Sequence, residues 1–133
     1  MFKNQKEVQS LGMPWEKEYG YAQGVKVGNT VWLAGQLGHD DKGTLAEGME
    51  AQVAQSYVNI KRLLEGFGFT MDDVVEEVLY VMDMNAAFNA GAKLRKTIYV
   101  NPMEIPSTLV AVSGLALPGQ LVEIKIVAKK ADK

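Results

Sequence analysis

Residues 105–124, IPSTLVAVSGLALPGQLVEI, hold two apolar, Val-rich runs on either side of Pro118-Gly119. Residues 108–115 and 121–128 therefore read as two strands joined by a turn, since Pro pre-sets one turn dihedral and Gly supplies another. In the first run Leu109 and Ala111 alternate with Val110 and Val112, so apolar side chains point to both faces of the sheet. In the second run Glu123 stands between Val122 and Ile124, which puts one carboxylate on the face opposite two core candidates.

Upstream, Phe88, Gly91 or Ala92, Arg95 and Ile98 fall on one stripe at helical spacing, with Asn85 as a cap and Asn101-Pro102 as the end. Residues 74–84 are dense in Val and read as a buried strand despite Glu76-Glu77. Met49, Val53, Tyr57, Ile60 and Leu64 define an amphipathic helix within residues 45–67, with Gly66 as its stop. Residues 24–36, GVKVGNTVWLAGQ, form a hairpin about Gly28-Asn29, a pair that tolerates positive φ. The order is β-β-α-β-α-β-β, with room for one short strand nearer the N-terminus. The fold class is α+β.

Two helices cover only one face of a four- to five-stranded sheet. Yet Val31 and Leu33 alternate with Trp32 and Ala34, as Val110 and Val112 do with Leu109 and Ala111, so both faces are apolar. Either the bare face meets another subunit, or it is simply less polar than most, as isolated surface apolar residues often are.

The 133 residues suit one domain, residues 1–133, with a single core. Lys+Arg 14 against Asp+Glu 16 leaves no basic stripe for a phosphate backbone, so nucleic acid is not an expected partner. The small basic cluster Lys129, Lys130 and Lys133 reads as a solvated tail. Cys is absent, which excludes disulfides, thiol nucleophiles and thiolate metal sites and suits a cytoplasmic setting. No run approaches the roughly 18 apolar residues of a membrane span.

His39, the only histidine, precedes Asp40 and Asp41 in a loop-like setting that falls short of any zinc spacing, and no nucleophile elbow accompanies it. Gly66-Phe67-Gly68 lacks the strand-before, helix-after context of a phosphate loop. Tyr21 and Trp32 also read as core or interface aromatics with a satisfied polar tip, the favoured reading for Trp32. Glu123 is either the wet side of a strand or a carboxylate in an intersubunit face. Ser107 and Thr108 either begin a strand or offer two hydroxyls to a ligand.

Several segments in order resemble the RidA/YjgF family, also described as endoribonuclease L-PSP. They are GYAQGV at residues 20–25, the hairpin GNTVWLAGQLG, the Gly-Phe-Gly-Phe ending of the first helix, Asp72-Asp73-Val74, residues 80–84 (YVMDM) and LVEIKIVA. The resemblance spans residues 19–128. It implies a chorismate-mutase-like α+β fold, two helices on one sheet face, and a homotrimer whose sheets form an inner barrel with small-molecule clefts between subunits. It implies hydrolysis of an enamine or imine, with no metal and no organic cofactor.

By that resemblance Glu123 is the carboxylate that positions or activates water, and Tyr21 the phenol lining the cleft; these are the catalytic candidates. Ser107 takes the place of a substrate-gripping Arg, Ala34 that of a Ser, and Leu109 that of a small Cys or Thr. With Thr108 they form the substrate-binding set. Arg presents a planar fork to a carboxylate, whereas Ser has one donor and no charge. Removing a hydrogen bond to a charged group, about 1.5–3 kcal/mol, weakens carboxylate binding by roughly ten- to over a hundred-fold. Arg95 or Lys96 could substitute, although the helix pattern sends both to solvent.

The expected function is binding, and potentially hydrolysis, of a small metabolite by an Arg-lacking family member. Ordinary 2-iminobutanoate/2-iminopropanoate deaminase activity and a non-enzymatic ligand-sensing or interaction trimer are the alternatives. A ribonuclease is disfavoured by the acidic charge balance.

Overall fold

The structure, a computed structural model, describes residues 5–131; Lys133 of the basic tail lies outside the described residues. The chain runs β1 (Glu7–Gln9), α1 (Pro14–Tyr19), β2 (Gly24–Val27), β3 (Thr30–Leu33), α2 (Met49–Gly66), β4 (Val74–Val81), α3 (Met84–Ile98), β5 (Ser107–Ala111) and β6 (Val122–Lys129). The strands form one six-stranded sheet in the order β1-β2-β3-β6-β4-β5.

The β2–β3 hairpin turns where expected, but only Gly28 takes a positive φ, at 59°, as in a turn with Gly in its first central position. The further short strand is β1, paired antiparallel with β2. The helix α1 was not legible in the sequence, being only six residues long. Pro14 opens it, and the Glu16 side chain reaches back to the Met13 amide to cap it.

One expectation is overturned: β5 and β6 do not form a hairpin. A β-turn does close at residues 117–120, with the Gln120 amide donating to the Leu117 carbonyl at 3.0 Å. However, β4 lies between the two strands, antiparallel to β6 and parallel to β5. A parallel pair needs a crossover, and α3 supplies it. The strand expected over 108–115 accordingly ends at Ala111, where its pairing with β4 runs out.

Helix boundaries also shift. α2 starts at Met49 because Gly48 has φ 89°, outside helical space, while Leu45 pairs with His39 in an isolated bridge. Its left-handed exit is Gly68 (φ 80°), not Gly66. The cap of α3 is Asp83, whose carboxylate accepts from the Ala86 amide at 3.0 Å; Asn85 lies within the first turn.

Strand alternation puts Val122, Ile124, Ile126 and Ala128 of β6 beneath the helices, where they pack with Val53, Ile60 and Leu64 of α2. Fully burying each large aliphatic side chain contributes about 1.5–3 kcal/mol. α3 approaches through the small residues Ala87, Ala90 and Gly91, so Phe88, expected on the inner stripe, is 65 % exposed instead.

The other face of the sheet is bare of helices. Register places Val25, Trp32, Val127, Val78, Tyr80 and Val110 on it, with Glu123 and Lys125 between them. Trp32 and Val110 are exposed there. Among the described residues, no helix is long and apolar enough to cross a membrane.

Candidate functional site

Glu123 sits on this open face at the back of a hollow of about 410 Å³ lined by Trp15, Tyr19, Tyr21, Ala34, Gly35, Leu37, Ala116, Leu117 and Glu123. Three local devices build it. Gly35 leaves room for the carboxylate, since a Cβ on it would overlap the Glu123 carboxyl group. Gln120 is buried and donates through Nε2 to the Val122 carbonyl at 3.2 Å and to Glu123 Oε1 at 3.4 Å. Gln52 fastens the wall: Nε2 donates to the Ala46 and Gly119 carbonyls, and Oε1 accepts from the Leu121 amide at 2.8 Å.

The opposite wall hangs on a chain of amides. Gln36 Nε2 donates to Gln23 Oε1 at 2.8 Å, and Gln23 Nε2 donates to Glu16 Oε2 at 3.1 Å. Glu16 also accepts from Ser10 Oγ and from the amides of Leu11 and Met13, so α1 is held as a lip carrying Trp15 and Tyr19. Partial burial opposes ionisation of Glu16, but these donors together outweigh it and lower its pKa. At Tyr21, burial first and the Glu16 charge second push the phenol up, so it stays a protonated donor at neutral pH. Two candidates thus meet here with Ala34, and the lining includes no Lys or Arg.

Ser107 does not join them. Its register partner is Glu77, and both side chains point to the helix face. The Ser107 hydroxyl donates to Glu77 Oε2 at 2.6 Å, alongside Arg95 Nε at 2.7 Å. Tyr57 and Tyr99 donate to Oε1 at 2.7 and 2.8 Å. Glu77 is completely buried, and four donors compensate its charge. The two phenols are pushed up, by burial first and then by the Glu77 charge. Arg95 therefore does not snorkel to solvent as expected: the sequence pattern showed a long side chain on a helix but not the buried carboxylate that draws it in. A Glu in a Val-rich strand was the available signal for this cluster.

Leu109 lies on the same helix side, and with Ser107, Arg95 and Lys96 it lines a separate cavity of about 360 Å³ beneath α3. Thr108 faces the open side, in register with Val78, which pairs onward with Lys125. The two neighbouring hydroxyls thus diverge, as period-2 alternation demands. β4 separates Thr108 from the strand of Glu123, about 10 Å away at ordinary strand spacing. Gln120, Gln52 and Gly35 were missed as builders of the hollow. Their only trace was the Gly-Gln pair in the hairpin and the Gln after Pro118-Gly119.

Lys125 also lies on the open face, donating to the Leu33 carbonyl at 2.7 Å; burial lowers its pKa, against the charge of Glu76. His39 is buried in its loop, edge-on to Trp15, with Nδ1 2.8 Å from the Asp40 carbonyl. Among the described residues, no group of three His, Cys, Asp or Glu side chains is placed to hold a metal ion.

The fold agrees with what sequence and structure comparison return. The family described as Endoribonuclease L-PSP matches residues 15–130. The chain belongs to this family, also known as RidA/YjgF, and has its α+β fold. It is 34 % identical to a RutC family protein of Pyrococcus horikoshii over 83 % of this chain and 86 % of that protein. It is 32 % identical to a 2-iminobutanoate/2-iminopropanoate deaminase of Dermatophagoides farinae over 67 % of this chain and 70 % of that one. A YjgF-family structure from Mycobacterium tuberculosis superposes with TM-score 0.84 at 26 % identity, covering 95 % of this chain and all of that one.

Proposed function

We propose that the chain forms a homotrimer through its open sheet face, and that the Tyr21–Glu123 hollow, closed by a neighbouring copy, binds and hydrolyses a small enamine or imine. The observation that carries this is the Glu123 carboxylate seated over Gly35 and facing a hollow whose rim carries the Tyr21 phenol. Exposed Trp32 and Val110 on the bare face supply apolar surface for association. The edge strand β5 of a second copy is the element that could bring Thr108 to the hollow. The names of relatives support the reaction type.

In this reaction Glu123 takes a proton from water as the water oxygen attacks the imine carbon, and Tyr21 holds a polar substrate group through its hydroxyl. Glu123 passes that proton to the imine nitrogen, giving a neutral amino alcohol; it then takes the hydroxyl proton and delivers it to the nitrogen as the C–N bond breaks, leaving the carbonyl, ammonia and the Glu123 carboxylate. Atoms and charge balance without a further reactant. With no cation in the hollow, the preferred substrate is a neutral imine rather than a 2-imino acid, because a carboxylate beside Glu123 would meet like charge.

Ammonia release from freshly generated 2-iminobutanoate and from its neutral amide analogue tests this. The amide should turn over faster by about ten-fold or more. A clear preference for 2-iminobutanoate would instead support the ordinary deaminase function that the relatives' names suggest. No release from either, with a ligand still bound, would support a non-enzymatic trimer.

A further inference from the structure

The hollow around Glu123 has two features that hydrolysis of an imine does not require. Three of its nine lining residues, Trp15, Tyr19 and Tyr21, are aromatic, although aromatic residues make up only 8 % of the chain. The faces of such rings carry partial negative charge, so they attract a cation more strongly than a neutral group of the same shape. Trp15 and Tyr19 stand four residues apart on α1, so one side of that helix presents both rings to the hollow. Trp15 is fixed before any ligand arrives: it meets the His39 ring edge-on at 5.1 Å, and a Cβ on Gly43 would approach it to 3.1 Å. Tyr19 is 74 % exposed at the rim and can settle onto a ligand.

The second feature is charge of one sign. Glu123 lies in the lining and Glu16 on α1 between the two rings, whereas Lys17, the basic residue of α1, is not part of the lining. Four donors keep Glu16 ionised, so its charge persists at neutral pH. After burial, the charges of Glu16 and then Glu123 push the Tyr21 phenol up, so the fields of both carboxylates reach this wall.

We propose that the substrate of this hollow carries a positive charge: an imine or enamine with an ammonium or alkylated ammonium group, its reacting carbon at Glu123 and its cationic nitrogen against Trp15, Tyr19 and Tyr21. The reacting half rests on the function proposed above; the cationic half rests on the rings and the two carboxylates. Aromatic faces hold a cation without a hydrogen bond or a proton transfer, which leaves Glu123 available as a base. Preference therefore runs from cationic through neutral to carboxylate-bearing imines.

Choline and 3,3-dimethylbutan-1-ol have the same shape and differ in one atom, a charged nitrogen against a carbon, and neither can be hydrolysed. Equilibrium dialysis on the wild-type protein should show choline bound at least about ten-fold more tightly than the alcohol. Tyr19→Leu keeps apolar contact, removes one ring and alters an exposed position; it should reduce the choline preference by about two- to five-fold. Glu123→Gln should weaken choline by about ten-fold and leave the alcohol unchanged, which places the probe in this hollow whether or not an imine turns over. Equal binding of choline and the alcohol, or a preference that either substitution leaves unchanged, would overturn the proposal. Imine hydrolysis without a choline preference would overturn the cation site alone. A choline preference lost as expected, with no ammonia released from any imine, would sustain the cation site and overturn the hydrolysis.

Discussion

The Ser107 hydroxyl and the Glu77 carboxylate lie 2.6 Å apart on adjacent parallel strands, with the serine donating to a fully buried acceptor. That bond turns position 107 toward the helices and away from Glu123. A cation placed at 107 would enter the Glu77 cluster, not the Tyr21–Glu123 hollow.

Ser107→Arg should therefore destabilise the fold without restoring a carboxylate site. A second guanidinium beside Arg95 meets like charge with no second buried acid to pair with, and the Ser107 bond to Glu77 is lost, a cost of about 1–3 kcal/mol. Thermal melting against wild type checks this: the Ser107→Arg variant should melt at clearly lower temperature.

Removing the acceptor costs more than removing one donor. Glu77→Ala leaves Arg95 without its carboxylate and two buried phenols without an acceptor, a loss of about 3–5 kcal/mol. Ser107→Ala leaves three donors on Glu77 and should cost about 1–2 kcal/mol. Urea denaturation of the two variants checks the order.

Gly35 is a packing requirement of the hollow rather than of the core. The atom that a Cβ would strike belongs to the movable end of Glu123. Gly35→Ala should therefore displace the carboxylate and reduce turnover by about a hundred-fold, the lower end of what general acid–base groups contribute, while the melting temperature stays close to wild type.

Acid should loosen the lip before the core. The folded pKa of Glu16 is lowered, so its contribution is present above the ordinary value near 4.5 and is lost as pH falls through the depressed folded value. Trp15 lies on α1 next to Glu16, and Trp32 lies on the open face. Tryptophan fluorescence of Trp32→Phe, which reports Trp15 alone, should change below pH 4.5, and the additional Glu16→Gln substitution should flatten that profile.

The sequence pattern carried the sheet and the two main helices because both depend on short-range periodicity. Met49, Val53, Tyr57, Ile60 and Leu64 are all buried, as their spacing demanded. Strand neighbours were less legible: a turn at Pro118-Gly119 is visible locally, but the insertion of β4 between β5 and β6 is a long-range choice made by the α3 crossover. Of the candidate residues, Tyr21, Ala34 and Glu123 line one hollow. Ser107 and Leu109 were grouped with them through the family resemblance, whereas within one copy alternation sends 107 and 109 to the other face. The Glu77 cluster escaped notice because its donors come from α2, α3, the segment after α3 and β5, and only folding assembles them.

The central claim is that Glu123 performs the chemistry in its hollow, and steady-state ammonia release by wild type and Glu123→Gln, at matched oligomeric state, tests it most directly. The amide keeps the shape and the Gln120 contact but cannot accept a proton from water, so turnover should fall by about a hundred-fold or more. Equal turnover by the two proteins would contradict the account.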